Sequence, residues 1–225
     1  MTSITFTAPD TAKPLRADAE RNRARILEAA SELFAQRGLD VSLNEIAHHA
    51  GVGVGTVYRR FPDRERLIDD LFEERIEELL ALANQALADP DPWQGLKRFL
   101  ERALELQASN RGLKDLVTSA PDGLARVCRV RERLLPLGVE LVRRAHEAGQ
   151  LREDVDAADL PLVQLLISIV IDAGRETAPD LWRRYLGIIL RGLAAHPELE
   201  PPLAAPALTA GQVDAVMTRA KASLR

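Results

Sequence analysis

The side chains best suited to specific chemistry lie between Ser42 and Phe61, in the stretch SLNEIAHHAGVGVGTVYRRF. There Thr56, Tyr58, Arg59 and Arg60 sit close together behind the small residues Val54 and Gly55. Hydroxyl and guanidinium groups donate to phosphate oxygens and to base edges, and arginine meets guanine in a two-pronged way. Small residues ahead of them leave room for a nucleic-acid backbone to approach. Arg25 upstream and Arg64 downstream extend the basic set, with Arg16, Arg21, Arg23 and Arg66 nearby. Residues 1–66 hold ten Lys/Arg against nine Asp/Glu, a balance of +1, whereas the remainder holds twenty against twenty-five, or −5. A weakly basic head on an acidic body suits local contact with a polyanion and little adhesion elsewhere.

Competing chemistries fail on spacing. Glu45 and His48 form a Glu-x-x-His pair of the kind used in di-iron carboxylate bundles, but no second copy occurs. Glu45 also stands three residues after Ser42, where a capping box would consume it. The run Gly51-Val52-Gly53-Val54-Gly55 suggests a nucleotide-binding loop, yet Thr56 occupies the third glycine position and no strand precedes it. Cys128 and His146 could be imagined as a nucleophile and its base. They are eighteen residues apart on one expected helix, which separates them by about 27 Å. Cys128 is instead expected to be a small core residue. No catalytic residue, metal site or cofactor is therefore expected. One cysteine also excludes an internal disulfide and a Cys-rich zinc module.

The elements that must hold the Ser42–Phe61 stretch are helical throughout. Hydrophobic residues make up 46% of the chain and aromatics only 4%, which favours leucine- and alanine-based helix packing over sheet packing. Pro9 and Pro14, with no apolar periodicity, make residues 1–18 an expected disordered arm. A first helix is expected from Ala19 to Arg37, with Ile26, Leu27, Ala30, Leu33 and Phe34 on one face and Gly38 as its stop. Ser42 and Glu45 start a short second helix, Gly51 turns the chain, and a third helix runs to Arg60 until Pro62 forbids more. Two short helices joined through a glycine turn make a helix-turn-helix, in which Ala47 must be small and Val52 plugs the angle. Asp63 caps a long fourth helix reaching about Ala88. Further helices are expected near 93–108, 112–119, 122–148, 157–175 and 179–195, with Pro136 kinking the long 122–148 segment. Residues 197–225 read as a Pro-rich linker and a short helix capped by Thr209 and Gln212, with Val213, Val216, Met217 and Ala220 on its docking face. The longest nearly apolar stretch, Leu160 to Ile171, is too short to span a bilayer and no leader opens the chain, so a cytoplasmic protein is expected.

On these residues, positions 21–72 resemble the N-terminal domain of the TetR family of transcriptional regulators. The likeness runs through RARILEAASELFAQRG and SLNEIAHHAGVGVGTVYRRFPDRERLIDDLF, including Gly38, Ala47, Gly51, Gly55-Thr56-Val57-Tyr58 and Phe61. Gly53 departs from the usual capping serine or threonine, and Arg64 stands where lysine is usual. The resemblance implies an all-α protein with a three-helix DNA-binding domain (19–66) and a helical effector-binding and dimerisation domain (67–196). It implies a homodimeric repressor of a palindromic double-stranded operator, released by a small apolar or amphipathic effector, and nucleoid-associated when bound. The DNA-contacting set would be Arg25, Ser42, Val54, Gly55, Thr56, Tyr58, Arg59 and Arg64. Phe99, Leu116, Val117, Cys128, Leu135 and Val170 would line an effector pocket. Leu166, Ile169, Trp182, Tyr185 and Ile189 would form the dimer interface, since LPLVQLLISIVI is apolar nearly all round.

Overall fold

The computed structural model describes residues 12–38, 40–109, 123–203 and 205–223. Among them the chain forms helices α1 (Ala12–Arg37), α2 (Leu43–His49), α3 (Val54–Arg60), α4 (Arg64–Leu87), α5 (Pro92–Ser109), α6 (Gly123–Glu147), α7 (Asp159–Gly174), α8 (Leu181–Leu193) and α9 (Ala210–Ser223). The only pairing of extended backbone among the described residues is an isolated bridge between Leu151 and Ala194. The helix expected at 112–119 lies outside the described residues. Helix α1 begins at Ala12 rather than Ala19, so residues 12–18 of the expected arm are helical, and residues 1–11 lie outside the described residues. Pro14 does not prevent this: in the first turn of a helix its missing N–H has no intrahelical partner to lose.

Two apolar cores divide the molecule. The first joins Ile26, Leu27, Ala30, Leu33 and Phe34 of α1 to Ile46 and Ala47 of α2, Val57 of α3, Phe61, and Leu67, Ile68 and Leu71 of α4. The second gathers Ala83 and Ala86 of α4, Trp93 to Leu104 of α5, Leu141 to Ala145 of α6, and the inner faces of α7 and α8. Helix α4 therefore belongs to both cores. Asp63 starts it by accepting from the Arg66 amide at 2.8 Å, the expected cap.

Polar contacts fasten α4 along its length. Arg129 of α6 lies 3.6 Å from Asp69 and 3.4 Å from Glu73, and Arg133 reaches Glu73 at 3.0 Å and also Glu77. Towards the C-terminal end of α4, Arg144 donates to the carbonyls of Leu87 and Asp89. The Asp-Pro break is an organised corner rather than a loose loop. The Asp91 carboxylate accepts from the Trp93 and Gln94 amides and from the Gln150 side chain.

Gly95 explains how closely α4 and α5 meet. A β-carbon at Gly95 would lie 2.4 Å from the Ala86 carbonyl oxygen, a backbone atom that cannot swing aside. Gly95→Ala should therefore force the helices apart and cost roughly 1–3 kcal/mol, although alanine is the better helix former. Urea unfolding followed by the fluorescence of Trp93 and Trp182 would measure it, and an unchanged midpoint would contradict the contact.

Candidate nucleic-acid interface

The short helices α2 and α3 are built by local signals. Ser42 sits in extended backbone, and its hydroxyl accepts from the Glu45 amide at 3.2 Å while the Glu45 carboxylate takes the Ser42 amide at 2.9 Å. The capping box is thus closed in both directions. That carboxylate also receives the Ser42 hydroxyl at 2.8 Å and the Arg37 guanidinium at 2.8 Å. The Ser42 amide, then its hydroxyl, then Arg37 hold the Glu45 carboxyl below the ordinary carboxylate range. A lowered pKa makes this cap strongest above the ordinary range and weakens it as acid protonates Glu45. Ser42, expected among the DNA contacts, has both its donors engaged by Glu45. The structure makes it a helix cap.

Between the two helices the backbone turns at Gly51, with φ +61°. Positive φ alone favours glycine, and a second constraint acts here. Arg25 of α1 donates to the Gly51 carbonyl at 3.2 Å, and a β-carbon on Gly51 would lie 2.9 Å from that guanidinium. Arg25 thus bridges the start of the domain to the turn. Val57 points inward and is fully buried, so the rest of α3 faces out. Val54, Gly55, Tyr58, Arg59 and Arg60 are exposed, Tyr58 by 46%, and Thr56 is half-buried.

Charge accounting selects among the arginines of the head. Arg21 pairs with Asp18, Arg23 and Arg66 share Asp70 at 3.2 Å each, and Arg37 holds Glu45. Arg25, Arg59, Arg60 and Arg64 form no ion pair among the described residues. Arg64 is half-buried, with its guanidinium 5.8 Å from the Phe34 ring centre and its Nε buried without a hydrogen-bond partner. Its stem rests on the head core, which fixes where its charge emerges. Glu45 is spent on Ser42 and Arg37, His49 meets Glu32 at 2.7 Å, and no group of three metal-ligating side chains occurs among the described residues.

The body corrects several expectations. Cys128 is exposed on α6 rather than buried, and Leu135 is exposed as well. Phe99 is buried in the body core and Val170 packs against it, so these two do face a common interior. Leu116 and Val117 lie outside the described residues, so the expected pocket is only partly described. A surface cleft of about 390 Å³ opens elsewhere, between the ends of α6 and α8, lined by His146, Leu151, Arg152, Asp154 and Ala195 among others.

Trp182 is 2% exposed and belongs to the body core, not to an outward face. Ile189 is half-buried against the same core. Leu166, Ile169 and Tyr185, expected at a dimer interface, are exposed, as are Leu162, Leu165 and Ile188. Periodicity finds an apolar stripe but cannot say which of two apolar sides faces the molecule's own core. No described helix is long and apolar enough to cross a membrane.

An exposed recognition helix held by a capped partner, with unpaired arginines around it, defines a helix-turn-helix DNA-binding class of protein. Residues 26–71 match the bacterial regulatory proteins, tetR family, and residues 91–195 match the C-terminal domain of SbtR-like transcriptional regulators. A TetR transcription regulatory protein from Mycobacterium vanbaalenii is 34% identical, with a TM-score of 0.64 over 80% of this chain and 99% of that one. A TetR transcriptional regulator from Streptomyces coelicolor is 28% identical, with a TM-score of 0.62 over 76% of this chain and 98% of that one. An HTH-type transcriptional regulator of Staphylococcus aureus is 29% identical over 112 residues, 49% of this chain and 60% of that protein. The chain thus aligns with less than two thirds of the length of that curated relative. The chain belongs to the TetR family of transcriptional regulators.

Gly53 begins α3 with φ −65° and ψ 137° and offers no side-chain cap. A β-carbon there would meet only Thr56 Oγ1, at an ordinary 3.7 Å. Gly53→Ser should therefore stabilise α3 by a few tenths of a kcal/mol, about 0.3. Amide hydrogen exchange at Thr56 and Val57 should slow accordingly; faster exchange would show that the serine does not cap.

Proposed function

We propose that the protein is a homodimeric repressor that binds palindromic double-stranded DNA and is released by a small apolar or amphipathic effector. The observation that carries this reading is the head's charge pattern. Its carboxylates neutralise Arg21, Arg23, Arg37 and Arg66 and leave Arg25, Arg59, Arg60 and Arg64 around α3. Arg59 reads a base, with guanine the best match to its fork. Tyr58 and Thr56 add phosphate or base-edge contacts, and Val54 and Gly55 let the backbone close in. Arg64 binds phosphate without regard to sequence. The protein works in the cytoplasm, on the nucleoid when bound, as a regulator and not a catalyst.

Gly55 supports this assignment from the opposite direction. A β-carbon there would meet nothing within 4 Å, and its φ is not positive. Glycine inside a helix costs about 0.5–1 kcal/mol relative to alanine. No contact within the chain requires glycine there, and on the exposed side of α3 its lack of a side chain lets DNA approach closely. Gly55→Ala should raise thermal stability and weaken operator binding. Arg59→Ala should cost about 1–3 kcal/mol and relax preference at one base pair per half-site. Arg64→Ala should weaken all sequences alike and flatten the salt dependence. Gel shifts against a selected site and its single-base variants separate these outcomes. Full affinity and unchanged site choice for Arg59→Ala would overturn the docking of α3.

Dimerisation rests on the outward side of α7 and α8. Leu162, Leu165, Leu166, Ile169, Tyr185 and Ile188 form an exposed apolar face larger than scattered surface residues account for. A second copy covers it with two-fold symmetry. One recognition helix touches few base pairs, so specific binding needs two heads about 34–36 Å apart. Ile169→Asp with Ile188→Asp should split the dimer, because each carboxylate would be buried without a partner. Ile188 is preferred to Ile189, which also supports the protomer's own core. Sedimentation and gel shift on this variant should show a folded monomer with lost operator affinity; a monomer that binds its palindrome fully would refute the model.

A further inference from the structure

The last described stretch of the chain, 197–203 and 205–223, lies beyond both family matches, the second of which ends at residue 195. It is nevertheless fixed at several points. Glu200 accepts from Lys97 Nζ at 3.0 and 2.9 Å and from Trp93 Nε1 at 2.5 Å, and the Lys97 and Glu200 side chains are each 10% exposed. The Lys97 ammonium stands 5.4 Å from the Trp93 ring centre. Further on, Arg191 donates to the Pro201 carbonyl at 2.7 Å and Arg184 to the Ala205 carbonyl at 2.9 Å. A β-carbon on Gly187 would lie 3.1 Å from Leu203, so a glycine of α8 marks where the strap passes. A buried ion pair contributes little net stability, but losing one partner leaves the other charge buried and unpaired, which holds the strap at Glu200.

What this strap places is α9. Thr209 and Gln212 close its capping box, and Arg219 pairs with Glu176 just beyond the end of α7. The helix packs on α7, with Gln212, Val216, Arg219 and Ala220 half-buried. Val213 and Met217, expected to dock with Val216, instead point outward, 43% and 52% exposed and one turn apart. They leave an apolar pair on the outer side of α9.

We infer that α9 is part of the homodimer interface, adding Val213 and Met217 of each copy to the apolar face of α7 and α8. The inference rests on the dimer proposed above and extends it to a segment the matched domains lack. Continuity argues for a second copy as the occupant. Helix α9 is held against the helix that carries Leu162, Leu165, Leu166 and Ile169, and a two-fold contact built on that helix brings its flank to the partner.

Val213→Glu with Met217→Glu in the full chain should raise the dimer dissociation constant at least about tenfold in sedimentation equilibrium, because two carboxylates per copy would be buried unpaired. Helix content should not change. Should that variant misfold, Met217→Cys in a Cys128→Ser background gives an independent reading. Its rate of maleimide labelling should fall as protein concentration rises through the dimerisation range. An unchanged dissociation constant, or labelling independent of concentration, would overturn the role of α9 while Ile169→Asp with Ile188→Asp still split the dimer. If that α7/α8 variant stayed dimeric, the underlying assignment of the interface would fall instead.

Discussion

Everything in this molecule depends on α4 being one uninterrupted helix shared by two cores. Leu67, Ile68 and Leu71 at its start are buried with the head, and Ala83 and Ala86 near its end are buried with the body. Neither core could move against the other without bending a hydrogen-bonded rod or pulling side chains out of a close-packed interior. Gly95 sets how near α5 comes to the rod, through the Ala86 carbonyl. Arg129 and Arg133 of α6 hold its acidic side at Asp69, Glu73 and Glu77. These pairs are substantially exposed, so each contributes little stability. Their value is positional: they tie α6 to the first turns of α4, where Leu67, Ile68 and Leu71 belong to the head core.

Charge placement follows the same logic in the head. A net charge of −4 gives the whole chain no general attraction for a polyanion. The carboxylates in the head are therefore used locally, to fix framework arginines in place. Asp70 draws Arg23 of α1 and Arg66 of α4 together, and Glu45 joins the end of α1 to the start of α2 through Arg37 and Ser42. What remains is a small cationic surface on a rigid frame, with Arg25 bound to the turn rather than to an acid. The same neutralised frame keeps Val57 at the centre of the head core and α3 at the surface.

How much of this was legible in the sequence depended on how local each cause was. The capping box at Ser42, the turn at Gly51 and the stop before Pro62 act over three or four residues, and the helix-turn-helix could be placed from them. The start of α1 was misjudged because a proline looks like a breaker until its position in the first turn is known. The cap at Ser42 was legible, but that Glu45 also accepts from its hydroxyl depends on side-chain placement. The long-range causes were invisible: Arg25 meets Gly51, Lys97 meets Glu200, and Gly95 meets Ala86 across gaps that no periodicity encodes. Trp182 and Cys128 were assigned to the wrong surroundings for a related reason. Helix α8 has apolar residues on two sides and α6 has an exposed apolar edge, and only packing decides which side is inside.

Under the proposed reading, these features make regulation inexpensive in free energy. The cationic surface is small, so affinity comes from two heads engaging together, and each head alone binds weakly at physiological salt. An effector then has no need to unfold or mask α3. It needs only to prefer a body conformation in which the two heads are wrongly spaced. Moving a two-state population from 1:99 to 99:1 takes a differential affinity of about 5.5 kcal/mol, and a dimer supplies it from two sites at roughly half that each. The rod-like α4 is what makes so modest a preference sufficient, because a rigid lever carries a small displacement in the body to the recognition helix without dissipating it in a flexible joint. The acidic body contributes too. It repels DNA wherever the heads do not hold it, so a misplaced pair of heads loses its grip entirely rather than in part.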